Sequence, residues 1–112
     1  MITYEQRNDS IGFYLYDNGK EIGHVEAFIN EKKKDCLVLK SIWVCTEHRK
    51  KGIWQTLFKK LHHTVLNDGY SGLVSDGRYR QSNAKKAFQC FNYYKDKNDW
   101  YFFKDFNNYI KT

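Results

Sequence analysis

Apolar and polar positions alternate through the first third of the chain and recur at helical spacing in its middle, which predicts strands followed by a strand–helix–strand unit. Ile2 to Arg7 forms a short first strand, and Ile11-Gly12-Phe13-Tyr14-Leu15-Tyr16 a second, ending at Asp17-Asn18-Gly19. An Asn-Gly pair between two alternating runs is a hairpin signal. The third strand is then Glu21 to Ile29, with Ile22, His24, Glu26 and Phe28 on one face and Gly23, Val25, Ala27 and Ile29 on the other. After the polar turn Asn30 to Asp35, the run Cys36 to Val44 is apolar on both faces, as expected of a strand central in its sheet. From Ile53 to about Asn67 the residues Ile53, Trp54, Leu57, Phe58, Leu61 and Val65 make one helical stripe, closed by Asn67-Asp68-Gly69. Tyr70 to Ser75 is a short strand and Arg78 to Gln81 a connection. Ser82 or Asn83 caps a second helix with Ala84, Ala87, Phe88 and Phe91 on its apolar side, and Tyr93 to Ile110 supplies one or two closing strands. No proline punctuates the chain, and no linker or repeat divides it, so residues 1–112 are expected to be a single domain.

The junction of the fourth strand with the first helix carries the clearest chemistry. Ser41-Ile42-Trp43-Val44-Cys45-Thr46-Glu47-His48-Arg49-Lys50-Lys51-Gly52-Ile53-Trp54 runs from an apolar strand through a basic turn into an amphipathic helix. Unpaired N–H groups at a helix start, with the positive end of the helix dipole, hold phosphate without a dedicated side chain. Gly52 lets the chain turn with no Cβ in the way, so that consecutive amides converge on one anion.

Here the sequence resembles the GNAT family of acyl-CoA-dependent N-acyltransferases, whose pyrophosphate loop is Gln/Arg-x-x-Gly-x-Gly/Ala after a strand. Arg49-Lys50-Lys51-Gly52-Ile53-Trp54 matches the first two marked positions and departs at the third. The order of elements is also similar, over about Ile11 to Phe103 and most strongly from Leu39 to Leu61. The resemblance implies an α/β GNAT-like fold: a mixed, mainly antiparallel sheet of about six or seven strands with two main helices, splayed between its fourth and fifth strands where the cofactor lies. It implies acetyl-CoA as acyl donor, with Ile42, Trp43 and Val44 contacting the pantetheine arm, and Arg49, Lys50, Lys51, Gly52, Ile53 and Trp54 the pyrophosphate. Asn83, near the start of the second helix, is either a cofactor ligand or a helix cap. Trp54 stands where the family has Gly or Ala; its indole either blocks the anion or follows Phe58 and Leu61 into the core. The two helices that usually follow the first strand and build part of the acceptor site are absent.

Acyl transfer to an amine needs a base and donors that polarise the thioester carbonyl. Glu26, whose face also carries His24, and Glu47 or His48 near the loop are the candidate bases. Phe91 stands where many members carry a proton-donating Tyr, and a phenyl ring has no proton to give, so Tyr94 or Tyr93 becomes the candidate acid. The acceptor is an amine on a small molecule, a protein or an aminoacyl-tRNA. The departures at Trp54 and Phe91 leave an alternative: a catalytically inactive GNAT-like scaffold that binds a protein or nucleic acid.

Composition adds boundaries to this picture. A net charge of +6 favours an anionic partner, and the basic, aromatic segments Arg78-Tyr79-Arg80 and Lys95 to Phe103 suit either nucleic acid or a strand with one wet face. Lys32 to Lys34 fits a solvated turn. With aromatics at 18% of residues, ring packing must supply much of the core. Three cysteines without CxxC spacing argue against a disulfide framework and for a reducing compartment. No apolar run nears the roughly 18–20 residues that span a bilayer, and the amino terminus lacks a signal-peptide core. A cytoplasmic protein without membrane contact is expected. Cys45, His48, His62 and His63 are zinc-compatible, but His62 and His63 are adjacent on a helix and point about 100° apart, so no metal site is expected.

Overall fold

In the computed structural model of the protein, residues 2–29, 35–49, 51–75, 88–89, 91, 93–96 and 99–103 are described. Asn18 and Gly19 both have positive φ, 52° and 78°, the combination that lets a two-residue hairpin follow the strand twist. They join β2 (Ser10–Asp17) to β3 (Lys20–Ile29). β1 (Ile2–Gln6) pairs antiparallel with β2 through the short link Arg7, Asn8 and Asp9, closed by Arg7 N–H donating to the Ser10 carbonyl at 2.8 Å. No helix separates them.

β4 (Cys36–Val44) runs antiparallel to β3, and α1 (Ile53–Asn67) carries the chain over the sheet to β5 (Gly72–Val74), which lies parallel to β4. β6 (Tyr94–Asp96) and β7 (Asp99–Phe103) complete a seven-stranded sheet of order β1-β2-β3-β4-β5-β7-β6. This is the mixed, mainly antiparallel sheet expected. Of the second helix only Phe88 and Gln89 are described as helical; Asn83, Ala84 and Ala87 lie outside the described residues, as do Lys32 to Lys34 and Arg78 to Arg80. None of the described helices is long and apolar enough to cross a membrane.

Two bulges decide which side chains share a face. Along β4, Ala27 pairs with Leu39 but Glu26 with Ser41, so Lys40 is an extra residue. Simple alternation from Leu37 and Leu39 would send Ser41 and Trp43 under α1. The bulge sends Ile42 and Val44 there instead, and both are buried. Along β3, Leu15 pairs with Gly23 but Tyr16 with Glu21, which leaves Ile22 as the extra residue. Glu21, not Ile22, therefore accompanies His24 and Glu26, and Ile22 is buried.

The core lies between the sheet and α1. Val25, Ala27, Leu37 and Leu39 meet Leu57, Phe58, Leu61 and Val65, all with no exposed surface. The helical residues recur at the spacing of one face, and each contributes about 1.5–3 kcal/mol of burial. α1 ends as its pattern indicates: Asp68 N–H donates to the Thr64 carbonyl at 2.9 Å, and Gly69 turns out at φ 86°.

Rings extend the core. Phe58 contacts Phe88, Phe91 and Tyr93 with centroids 5.5, 5.1 and 5.6 Å away, and His62 contacts Phe91, Tyr93 and Phe102. Tyr93 is buried, which raises its hydroxyl's pKa, and that hydroxyl lies 2.9 Å from His62 Nδ1. It donates to a neutral imidazole. Burial first, and then the neighbouring His63, depress His62 below its ordinary value of 6.5. The unfolded chain thus takes up this proton first, so the His62 contribution to stability is complete above pH 6.5 and declines as pH falls through the lower folded-state value. Urea unfolding at about pH 7.5 and about pH 5.5 should show lower stability at the acid end, with a flatter dependence in His62→Gln, which keeps an acceptor for Tyr93 and does not titrate. An unchanged slope in that variant would assign the effect to other groups.

Candidate functional site

β4 is paired with β3 from end to end but with β5 only through Cys36, Leu37 and Val38. From Lys40 to Val44 no strand among the described residues pairs with its β5-side edge. Apart from the Val44 carbonyl, the main-chain N–H and C=O groups that point to this edge are open to an extended ligand.

The open edge leads directly into the basic turn. Cys45 N–H donates to the Ile22 carbonyl at 2.8 Å, and Thr46–His48 forms one 3-10 turn, closed by His48 N–H on the Cys45 carbonyl at 3.0 Å. Arg49 Nε donates to the Val44 carbonyl at 3.0 Å, folding the turn back on the strand end and using one of five guanidinium N–H donors. Gly52 is the N-cap of α1 with φ 73°, a left-handed conformation that costs other residues about 1–2 kcal/mol. A Cβ at Gly52 would meet only Gln55 Oε1, at an ordinary 3.6 Å, so the dihedral and not lack of space requires glycine here. No side chain caps the helix start, and the first intrahelical bond is Thr56 N–H to the Gly52 carbonyl at 3.1 Å. The amides of the first turn, Ile53, Trp54 and Gln55, precede that bond. Trp54 is half-buried and packs against the core with Ile53. Arg49 and Lys51 are exposed beside the turn; Lys50 lies outside the described residues.

A polar cluster occupies the sheet face opposite α1. Gly12 stands opposite Glu26, and Tyr14 opposite His24. The Tyr14 ring leans back over Gly12, where a Cβ would lie 2.7 Å from it, and its hydroxyl donates to Glu26 Oε2 at 2.7 Å. Burial and then this bond raise the Tyr14 pKa, keeping it a donor. His24 Nε2 lies 2.9 Å from Ser41 Oγ and 3.5 Å from Glu26 Oε1, while Nδ1 lies 3.3 Å from Glu21 Oε2. Trp43, 37% exposed, stacks at 5.7 Å on His24. Glu26 thus faces Ser41 on the strand with the open edge, held by a phenol and an imidazole.

The other candidates are placed elsewhere. Glu47 is exposed in the 3-10 turn, where its own backbone amide, and then the Cys45 thiol, hold its carboxyl below the ordinary range. Tyr94 is exposed on the outer strand β6, with β7 and β5 between it and β4. Phe91 packs on Phe58 and His62, and Asn83 lies outside the described residues. Of the candidate acids and bases, Glu26 alone joins the cluster, with Trp43 from the cofactor candidates beside it. Tyr14, Glu21 and Ser41 were not foreseen, because the bulges that bring them together leave no periodic signal.

An acetyltransferase (GNAT) family model matches residues 1–104. The fold is similar to that of a protein from Desulfovibrio desulfuricans assigned to the GNAT acetyltransferases, with TM-score 0.70 and 10% identity over 85% of this chain and 69% of that one. It is similar to the ribosomal-protein-S18-alanine N-acetyltransferase of Escherichia coli, with TM-score 0.66 and 18% identity over 82% and 57% of the two chains. It is also similar to the PaiA N-acetyltransferase of Thermoplasma acidophilum in complex with coenzyme A, with TM-score 0.60 and 20% identity over 83% and 58%. At these identities the likeness is one of fold, and the chain spans 57–69% of the three proteins. No protein of curated function matches it in sequence.

The close approach of Tyr14 to Gly12 is testable by a double-mutant cycle. Gly12→Ala should destabilise the protein by about 1–3 kcal/mol, because the new methyl displaces the ring. In a Tyr14→Ala background most of that cost should vanish, as measured by urea unfolding. Equal costs in both backgrounds would show that the ring is not what the methyl meets.

Proposed function

The chain belongs to the acetyltransferase (GNAT) family, and on that premise we propose that it is an N-acetyltransferase that uses acetyl-CoA, the acyl donor of this family, to acetylate an amine. The observation that carries the proposal is the open edge of β4 leading into an uncapped helix start at Gly52. An extended pantetheine arm runs along the open edge of β4 at Ile42, Trp43 and Val44, where the Val44 carbonyl is already taken by Arg49, and the pyrophosphate takes the amides of Ile53, Trp54 and Gln55, with Arg49, Lys50 and Lys51 adding charge. An indole in the anion cradle would have favoured a silent scaffold; with Trp54 packed against the core, that reading gains no support.

Acetyl-CoA supplies its acetyl group as a thioester. Glu26 accepts a proton from the acceptor ammonium, directly or through water, while Tyr14 and His24 hold the carboxylate in place. Amides on the open edge of β4 stabilise the negative charge that develops on the carbonyl oxygen as the amine attacks. The C–S bond then breaks, and the released thiolate takes its proton from solvent. Tyr94 and Glu47 have no part in this scheme. Because only three residues link β1 and β2, nothing between those strands covers the Glu26 face, which suits an amine presented by a protein or aminoacyl-tRNA better than an enclosed small molecule.

Calorimetry with acetyl-CoA tests the premise, and the ligand at 100 times its Kd should stabilise the fold by about 2.7 kcal/mol. Gly52→Asp should abolish this binding in a protein that still folds, at a cost of about 1 kcal/mol for the left-handed position. Absence of binding to the native protein at millimolar acetyl-CoA would end the proposal. Glu26→Gln should lower kcat by about 10²–10⁴ and leave acetyl-CoA affinity unchanged. A variant with native turnover would move the base elsewhere.

A further inference from the structure

The 3-10 turn between β4 and the basic loop brings together three groups with no part in the acyl-transfer scheme. Cys45 Sγ lies 2.9 Å from His48 Nδ1, and with a carboxylate oxygen of Glu47 these atoms all lie within 4.8 Å of one another. On the far side of the imidazole, His48 Nε2 is 3.7 Å from Asp17 Oδ2, at the end of β2. We propose that Cys45, Glu47 and His48 bind a single divalent ion of the zinc class, with Asp17 orienting His48. Spacing alone pointed to His62 and His63 as the remaining ligands and so against a metal. In the fold, His62 is turned into the aromatic core, and the third donor comes from Glu47 in the same turn.

The geometry fits such an ion. Metal–sulfur and metal–nitrogen bonds of about 2.3 and 2.0 Å place tetrahedral ligand atoms about 3.2–3.8 Å apart, so Cys45 Sγ and His48 Nδ1, now 2.9 Å apart, open by about 0.6 Å to share the ion, and Glu47 already lies within 4.8 Å of both. Binding through Nδ1 leaves the proton on Nε2, facing the Asp17 carboxylate, which is the outer-sphere partner a ligating histidine usually has. Lys20 acts on Glu47 and Arg49 follows His48 directly, so the site disfavours hard cations held by charge and favours an ion that bonds to thiolate and imidazole. Three protein ligands leave one position for water. The bound ion would tie the end of β4 to the first residue before the basic loop, holding the turn whose Arg49 reaches back to Val44.

Titration of Co²⁺ into the reduced, metal-free protein should produce thiolate-to-cobalt charge-transfer absorption that saturates at one equivalent, and Zn²⁺ should displace it. Cys45→Ser should abolish the absorption, and His48→Gln should weaken binding by at least about 100-fold. Asp17→Asn and Glu47→Gln, both at exposed positions, should each weaken it by about tenfold and keep the test decisive if Cys45→Ser fails to fold. His63→Gln should bind like the native chain. Absence of the absorption at micromolar protein with equimolar Co²⁺, its survival in Cys45→Ser, or native affinity in both Asp17→Asn and Glu47→Gln would overturn the site.

Discussion

The one-sided pairing of β4 is the constraint on which the rest of this structure depends. Backbone donors and acceptors inside a protein must find partners, and β4 satisfies one edge with β3 while meeting β5 over only three residue pairs. The unpaired edge is available to an extended ligand because the same strand is fixed from beneath: Leu39, Ile42 and Val44 are buried on the α1 side. That helix is pressed onto the sheet by Leu57, Phe58 and Leu61, so its uncapped first turn is held at the end of the open edge by core packing. Strand edge and helix start are held together as one packed unit, the feature on which the proposed cofactor site rests.

The polar face has a different origin. A strand alternates with period two, and each bulge reverses the assignment of every residue beyond it. Lys40 in β4 and Ile22 in β3 do this on neighbouring strands, and together they gather Glu21, His24, Glu26, Ser41 and Trp43 on one surface. Tyr14 joins them only because Gly12 has no side chain to keep its ring away. The polar cluster rests on two irregularities and one missing methyl group.

Aromatic content works mainly through stability. Phe91, Tyr93 and Phe102 surround His62, Phe58 and Phe88 join the same cluster, and ring contacts replace part of the aliphatic burial that a chain of 112 residues would otherwise need. Phe91, which stands where a family acid would be, is a member of this cluster. The turn at Cys45 is separate from it, with His48 2.9 Å from the Cys45 thiol on one side of its ring and 3.7 Å from Asp17 on the other.

What the chain determines by itself is local. The Asn18-Gly19 turn, the extent of β4 from Cys36 to Val44, α1 from Ile53 to Asn67 and the basic turn ending at Gly52 all follow from periodicity and from residues with restricted dihedrals, which act over a few neighbours. The uncapped helix start after a left-handed Gly52 was legible for that reason, and Glu26 and His24 share one face because no bulge lies between them. Register was not legible. Counting back from the hairpin would set Tyr14 opposite Gly23, whereas the bulge at Ile22 sets it opposite His24 and within reach of Glu26. Whether Trp54 blocks the cradle, which groups surround Cys45, and where Tyr94 falls were likewise decided by packing between elements distant in sequence, because those contacts depend on how strands pair and not on what any one strand contains.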